Sequence, residues 1–254
     1  MSFRNFPQYF TLFTNLEDLI KQKYPNEYEA FRFYKMDLMF KLEYLELICL
    51  RHESDKKNWE QTEKRFNRHM ENVRSKSLSQ TELQKESQIL GAKSVLYSRL
   101  LMLDKDSFYV FANVLLDRVP FLLRPLYKGK VTNLNIEEKH FKNFVIHLGW
   151  LQKNREYVLD SAFYDRIISC GNWFCENLRK PRNKIIVHPD WNTFRSEIDF
   201  SGKLNRIEYN LSPIGESRKW VRMGSKEFIE ISVLFKKIIE FLEFLNDYFI
   251  GILQ

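Results

Sequence analysis

Arg182, Asn183 and His188 stand close together in the segment Leu178-Arg179-Lys180-Pro181-Arg182-Asn183-Lys184-Ile185-Ile186-Val187-His188-Pro189-Asp190-Trp191. Arginine offers a permanently charged, planar fork that matches a phosphate, and histidine is the side chain whose ordinary pKa lets it trade a proton near neutral pH. Those are two parts of a metal-free phosphodiester-cleaving site. The apolar run Ile185-Ile186-Val187 anchors the segment, and Pro181 and Pro189 bracket it.

Arg182-Asn183, four residues, then His188 resembles the Arg-x(4–6)-His signature of HEPN domains. The resemblance covers roughly residues 105–254. It implies a small all-α bundle that pairs as a dimer, with the arginine and histidine of both protomers lining one cleft. It also implies a metal-independent endoribonuclease of toxin–antitoxin, abortive-infection or other antiviral type, with no cofactor. The catalytic expectation falls on Arg182 and His188, with Asn183 as their polar companion. The alternative for these residues is a structural arginine and a helix-terminal histidine.

On such a route the RNA 2′-hydroxyl attacks the adjacent phosphorus and leaves a 2′,3′-cyclic phosphate. His188 would move protons and Arg182 would stabilise the phosphorane charge, while Asn183 orients the phosphate or fixes the imidazole tautomer. Positions six apart on an ideal helix differ by about 120° around the axis and about 9 Å along it, so a second copy is expected to complete the site. Arg179, Lys180 and Lys184 are expected to contact RNA phosphates. Trp191 either stacks on a base or packs against a neighbouring hairpin, packing being the commoner outcome.

Composition points the same way. The chain has 254 residues, 44% of them hydrophobic, enough for a sizeable core, and 22 Phe and 12 Tyr stand against only 8 Gly and 7 Pro, which favours long regular elements over tight turns. A net charge of +7 favours an anionic partner such as RNA, although lysine-rich helical surfaces also confer solubility alone. Cys49, Cys170 and Cys175 form no ligand-like spacing with His52, His69, His140 or His147, so no metal site is expected. No leader is read at the amino terminus. Charges interrupt every apolar stretch before the roughly eighteen residues that a membrane span needs, and a cytoplasmic protein is expected.

The elements that would carry the motif are helices. Apolar residues at Phe31, Tyr34, Leu38, Leu42, Leu45 and Leu50 predict a buried face over about 27–53, followed by a charged surface helix over 59–74. Ser79 and Glu82 form a capping box for a scaffold helix over about 80–103, with an apolar stripe from Leu83 to Leu103. Asp104-Lys105-Asp106 reads as a break, with Asp106 or Ser107 capping a helix over 108–127 that Pro120 and Pro125 should kink or stop. The stretch 108–118 resembles the first core helix of the HEPN bundle, and Asp117 and Arg118 read either as a buried ion pair or support for the site, or, more simply, as an ion pair at the helix edge. Residues 128–133 form a basic loop, and helices over 136–149 and 155–179 follow.

Beyond the motif, alternation over 194–200 and 206–211 predicts a β-hairpin, and a last helix runs over 225–253. The expected organisation is therefore an N-terminal helical region, 1–104, and a HEPN-like helical domain, 105–254, carrying a short β-hairpin insertion near 194–211. Expected partners are RNA, a second copy of the chain and, by the resemblance, an antitoxin or nucleotidyltransferase. The other function class is a catalytically inactive HEPN-like dimer that binds RNA or a partner protein.

Overall fold

A computed structural model describes residues 11–74, 80–130, 137–155, 160–183, 194–198, 204–210, 220–222 and 229–254. Side chains are described for 11–72, 84–124, 127, 137–155, 160–183 and 229–254. The fold is helical: α1 (Thr14–Lys23), α2 (Tyr28–Arg74), α3 (Gln80–Lys130), α4 (Phe144–Lys153), α5 (Ser161–Phe174), the single turn α6 (Lys180–Arg182) and α7 (Ile231–Leu253). Backbone pairing also joins β1 (Phe194–Ile198), β2 (Leu204–Asn210) and β3 (Trp220–Arg222) antiparallel in the order β1-β2-β3. The 199–203 connection and the capping box at Ser79 lie outside the described residues. No described helix is long and apolar enough to cross a membrane.

Two compact units emerge, and both are discontinuous in sequence. Unit 1 is Met1–Glu46, Val110–Lys180 and Ser232–Gln254; unit 2 is Leu47–Tyr109 and Pro181–Ile231. Residue 104, the expected boundary between regions 1–104 and 105–254, lies inside α3. The break expected at Asp104-Lys105-Asp106 is absent because these polar groups are accommodated sideways: Asp104 is fully buried and accepts from Arg51 Nε at 2.5 Å. Pro120 and Pro125 also sit within the helix. Each leaves one ladder bond unmade, while buried Leu116, Val119, Leu122, Leu123 and Tyr127 hold α3 on its course to Lys130, where a basic loop was expected.

In unit 1, α2 and α3 run antiparallel: Tyr34 stacks on Phe121 at 4.8 Å, Asp37 meets Arg118 at 3.0 Å and Tyr44 stacks on Phe111 at 5.5 Å. The core is aromatic. Phe144, Phe174 and Phe241 meet edge to face at 5.4–6.4 Å, an arrangement that the ring quadrupoles favour. Where α4 crosses α5, Gly171 provides the clearance: a Cβ there would lie 2.4 Å from Leu148 Cδ1. Phe13, which precedes α1, adopts φ 65°, a left-handed conformation that costs a large side chain energy. Its ring is buried and its N–H donates to Asn246 Oδ1 of α7 at 3.1 Å, which holds it there.

Unit 2 pairs the later turns of α2 with the earlier turns of α3, again antiparallel, through Arg51–Asp104, Ser94–Glu63 and His69–Ser87. The helix face expected at the surface over 59–74 thus buries Trp59, Thr62, Glu63 and His69. The stripe expected to be buried on α3 is largely exposed at Ile89, Val95, Leu96 and Leu103, because the face turned to α2 is that of Leu90, Leu101, Asp104, Lys105 and Phe108. Apolar residues occur on both faces of α3, so their period alone does not select the inward one.

Candidate functional site

α5 delivers the motif. Asp160 caps it, accepting from Phe163 N–H at 2.7 Å, and Tyr248 of α7 donates to the same carboxylate. Phe163, Ile167, Gly171 and Phe174 form its buried stripe. Beyond Phe174 the helix does not stop, as a dipole-complementing cationic end would require. It widens into a π-helical turn over Cys175–Arg179, in which Lys180 N–H reaches Cys175 O. Pro181 has no N–H to give and its ring crowds the carbonyl of an α-helical turn before it, so the wider turn relieves a clash that regular α geometry would impose. One extra residue in a helical turn shifts the phase of the side chains by about 100°.

The unit boundary falls between Lys180 and Pro181. On the unit 1 side, Lys180 is exposed and committed to Glu176, with Nζ 2.5 and 2.7 Å from its two oxygens. Arg179 is half-buried and lines a narrow cleft with Asn113, Asp117 and Cys175. Asn113 Nδ2 donates to Leu178 O at 3.3 Å, fixing α3 to the π turn. Burial pushes the Cys175 thiol up, although Arg179 and Lys180 pull the other way, so a protonated thiol stands here at neutral pH.

On the unit 2 side, Arg182 is half-buried and its Nε, shielded from solvent, has no hydrogen-bond partner among the described residues. Asn183 is exposed. Lys184, His188 and Trp191 lie outside the described residues. The structure therefore puts Arg182 and Asn183 on the turn that follows a π bulge.

The Asp117–Arg118 ion pair does not form. Asp117 Oδ1 instead accepts from Phe144 N–H at 3.0 Å at the start of α4, beside the Asn143 cap, and Arg118 turns to Asp37 of α2. Adjacent residues on a helix point about 100° apart, which is why the two carry separate partners.

Two sites in unit 1 escaped the sequence reading. One is an open groove between α5 and α7, lined by Arg166, Cys170, Trp173, Lys237, Glu240 and Phe241. Its signal was available, since 166, 170 and 173 share one helical stripe, as do 237, 240 and 241. The other is a buried cluster in which His147, fully buried, lies 5.5 Å from Tyr127 and 5.7 Å from Trp150, ring to ring. Burial lowers the pKa of His147 to about 3, against the opposing pull of the His140 backbone beside it. No group of three or more metal-ligating side chains occurs among the described residues.

No family model, curated protein or solved structure matches the chain. The HEPN resemblance accordingly rests on Arg182, Asn183 and His188 and on the helical setting just described.

Proposed function

We propose that this chain is a metal-independent endoribonuclease of the HEPN toxin or antiviral defence type, acting in the cytoplasm as a homodimer. The observation that carries the reading is Arg182, whose guanidinium stands just past a π turn with Nε lacking a partner among the described residues, six residues before His188. π turns recur where a helix must re-aim side chains for function. The net charge of +7 supports an RNA substrate. On this reading the 194–211 hairpin is an insertion in a HEPN-like bundle.

His188 takes the proton from the 2′-hydroxyl as the O2′–P bond forms. A proton delivered to the 5′-oxygen accompanies breakage of the P–O5′ bond, and Arg182 neutralises the charge gathered on the phosphorane. Pairing of two copies is supported by the exposed apolar residues Phe33, Met36, Phe40 and Tyr44 on α2 in unit 1. Their spacing of three or four is that of a helix-packing seam. The same residues favour the second reading, a catalytically inactive HEPN-like dimer that binds RNA or a partner protein such as an antitoxin or nucleotidyltransferase, since a seam serves either.

The test is RNA cleavage in EDTA by wild type beside His188→Ala. About a hundredfold or greater loss with RNA affinity kept, and cyclic phosphate ends from wild type, are expected. Arg182→Lys should also be impaired, because lysine keeps the charge but loses the fork. RNA binding without cleavage by wild type selects the inactive dimer, and a monomer by light scattering at micromolar concentration removes the shared cleft.

A further inference from the structure

The groove in unit 1 combines features that suit one class of ligand. Its volume is about 220 Å³. That lies below the range of pockets which enclose a whole drug-sized molecule, so it suits a flat group inserted from solvent with the remainder left at the rim. The floor is aromatic, formed by buried Phe241 and half-exposed Trp173. Trp173 meets Phe174 edge to face at 5.4 Å, an arrangement that fixes the indole plane.

The rim is charged and asymmetric. Lys237 Nζ lies 2.7 Å from Glu240, whose carboxylate that hydrogen bond holds below its ordinary pKa, so those two charges largely cancel. Arg166 is exposed on α5, its guanidinium 5.8 Å over the Phe244 ring, and contributes the uncompensated positive charge. A planar apolar floor beside a net cation fits neither an aliphatic acyl chain nor a metal ion. It fits an aromatic ring system that carries an anion.

We propose that the α5–α7 groove of unit 1 binds a single nucleotide unit, its base stacked on Trp173 and its phosphate held by Arg166 with Lys237 at the rim. The unit comes either from a free nucleoside monophosphate or from single-stranded RNA, which present the same chemistry. Arginine grips phosphate through paired N–H groups, and stacking tolerates any base because every base has a π face.

Calorimetric titration of the full chain with AMP, adenosine, inorganic phosphate and a ten-nucleotide single-stranded RNA separates the parts. AMP should bind saturably, with adenosine and phosphate each at least about tenfold weaker. Arg166→Gln and Trp173→Leu should each weaken binding about tenfold or more at unchanged helicity and melting temperature. Ligand should also slow alkylation of Cys170, followed peptide by peptide by mass spectrometry, and leave Cys175 unaffected. AMP binding with an RNA affinity indifferent to both variants identifies a free nucleotide; RNA affinity lowered by both variants without AMP binding identifies a strand. Absence of AMP binding at millimolar concentration, together with RNA affinity unchanged in both variants, overturns the proposal.

Discussion

The two units use the same pair of long helices differently. In unit 1, α2 and α3 meet through stacked rings and aliphatic side chains beside the single Asp37–Arg118 contact, and the core around them is closed by Phe141, Phe144, Phe163, Phe174, Phe241 and Phe249. In unit 2 the same helices meet through Arg51–Asp104, Glu63–Ser94 and His69–Ser87, with Lys105 and His52 also buried. Apolar contacts tolerate a slip in register, whereas each polar pair demands its own partner. Unit 2 is therefore the part in which register is specified, and also the part that depends on the state of its charges.

The largest effect should come from orphaning the buried carboxylate. Asp104 has no exposure, while Arg51 is half-exposed. Arg51→Met leaves a charge in the interior, at a cost of about 3 kcal/mol, the lower end for a broken buried pair because solvent already reaches the guanidinium. Asp104→Asn leaves the exposed partner to water and should cost less. Denaturant unfolding of both variants checks this order. An equal loss would mean that Asp104 is not desolvated as the structure has it.

Proton linkage comes next: His147 in unit 1 acts in one direction, whereas Asp106 and Lys105 in unit 2 oppose each other. Burial lowers His147 in unit 1 from 6.5 to about 3. Between those values the unfolded chain is protonated and the folded one is not, so stability is full above pH 6.5 and falls as the medium is acidified. In unit 2, burial raises Asp106 from 3.8 to about 6, against the pull of Lys105. The folded chain is there the more protonated, so acidification through that window favours folding. Lys105, lowered by burial from 10.5 to about 8, gives a gain in stability as pH rises through that range. His147→Phe should remove roughly 2 kcal/mol of the loss between pH 7 and pH 5. Unfolding curves at the two pH values, wild type against variant, test it; an unchanged difference would place a partner on the imidazole.

The sequence disclosed the helical class and much of unit 1. Phe31, Leu38, Leu42 and Leu45 on α2, and Leu234, Ile238, Leu242 and Leu245 on α7, are buried as their spacing requires. It failed where polar groups take tertiary partners. Asp104-Lys105-Asp106 has the composition of a turn, but Arg51 lies fifty-three positions away and no local pattern announces it. The exposed stripe of α3 misled for a related reason, as amphipathicity identifies an apolar face without saying what covers it. At the candidate site Arg182 and Asn183 were legible from the motif, but the π turn that aims them was not: Pro181 predicts a perturbation of the helix without specifying its form.

Two glycines sharpen the contrast at the smallest scale. Gly171 lies in the interior of α5, where alanine would otherwise gain about 1 kcal/mol in helix propensity. A Cβ there, however, meets Leu148 Cδ1 at 2.4 Å and Cδ2 at 2.6 Å, and Leu148 is itself buried. The leucine must leave its packed rotamer, and overpacking of this kind costs about 1–3 kcal/mol, so Gly171→Ala should be destabilising by about 1 kcal/mol on balance. Gly91 lies in the interior of α3 in unit 2, and a Cβ there meets no atom of the described residues within 4 Å. Only the backbone contribution remains, so Gly91→Ala should stabilise the protein by about 0.5–1 kcal/mol. Opposite signs from one substitution at two helical glycines would mark the α4–α5 contact at Gly171 as closely packed and the surface of α3 at Gly91 as open. Thermal melts of the two variants measure this directly, and a gain at Gly171 would show that α4 stands farther from α5 than the Leu148 contact requires.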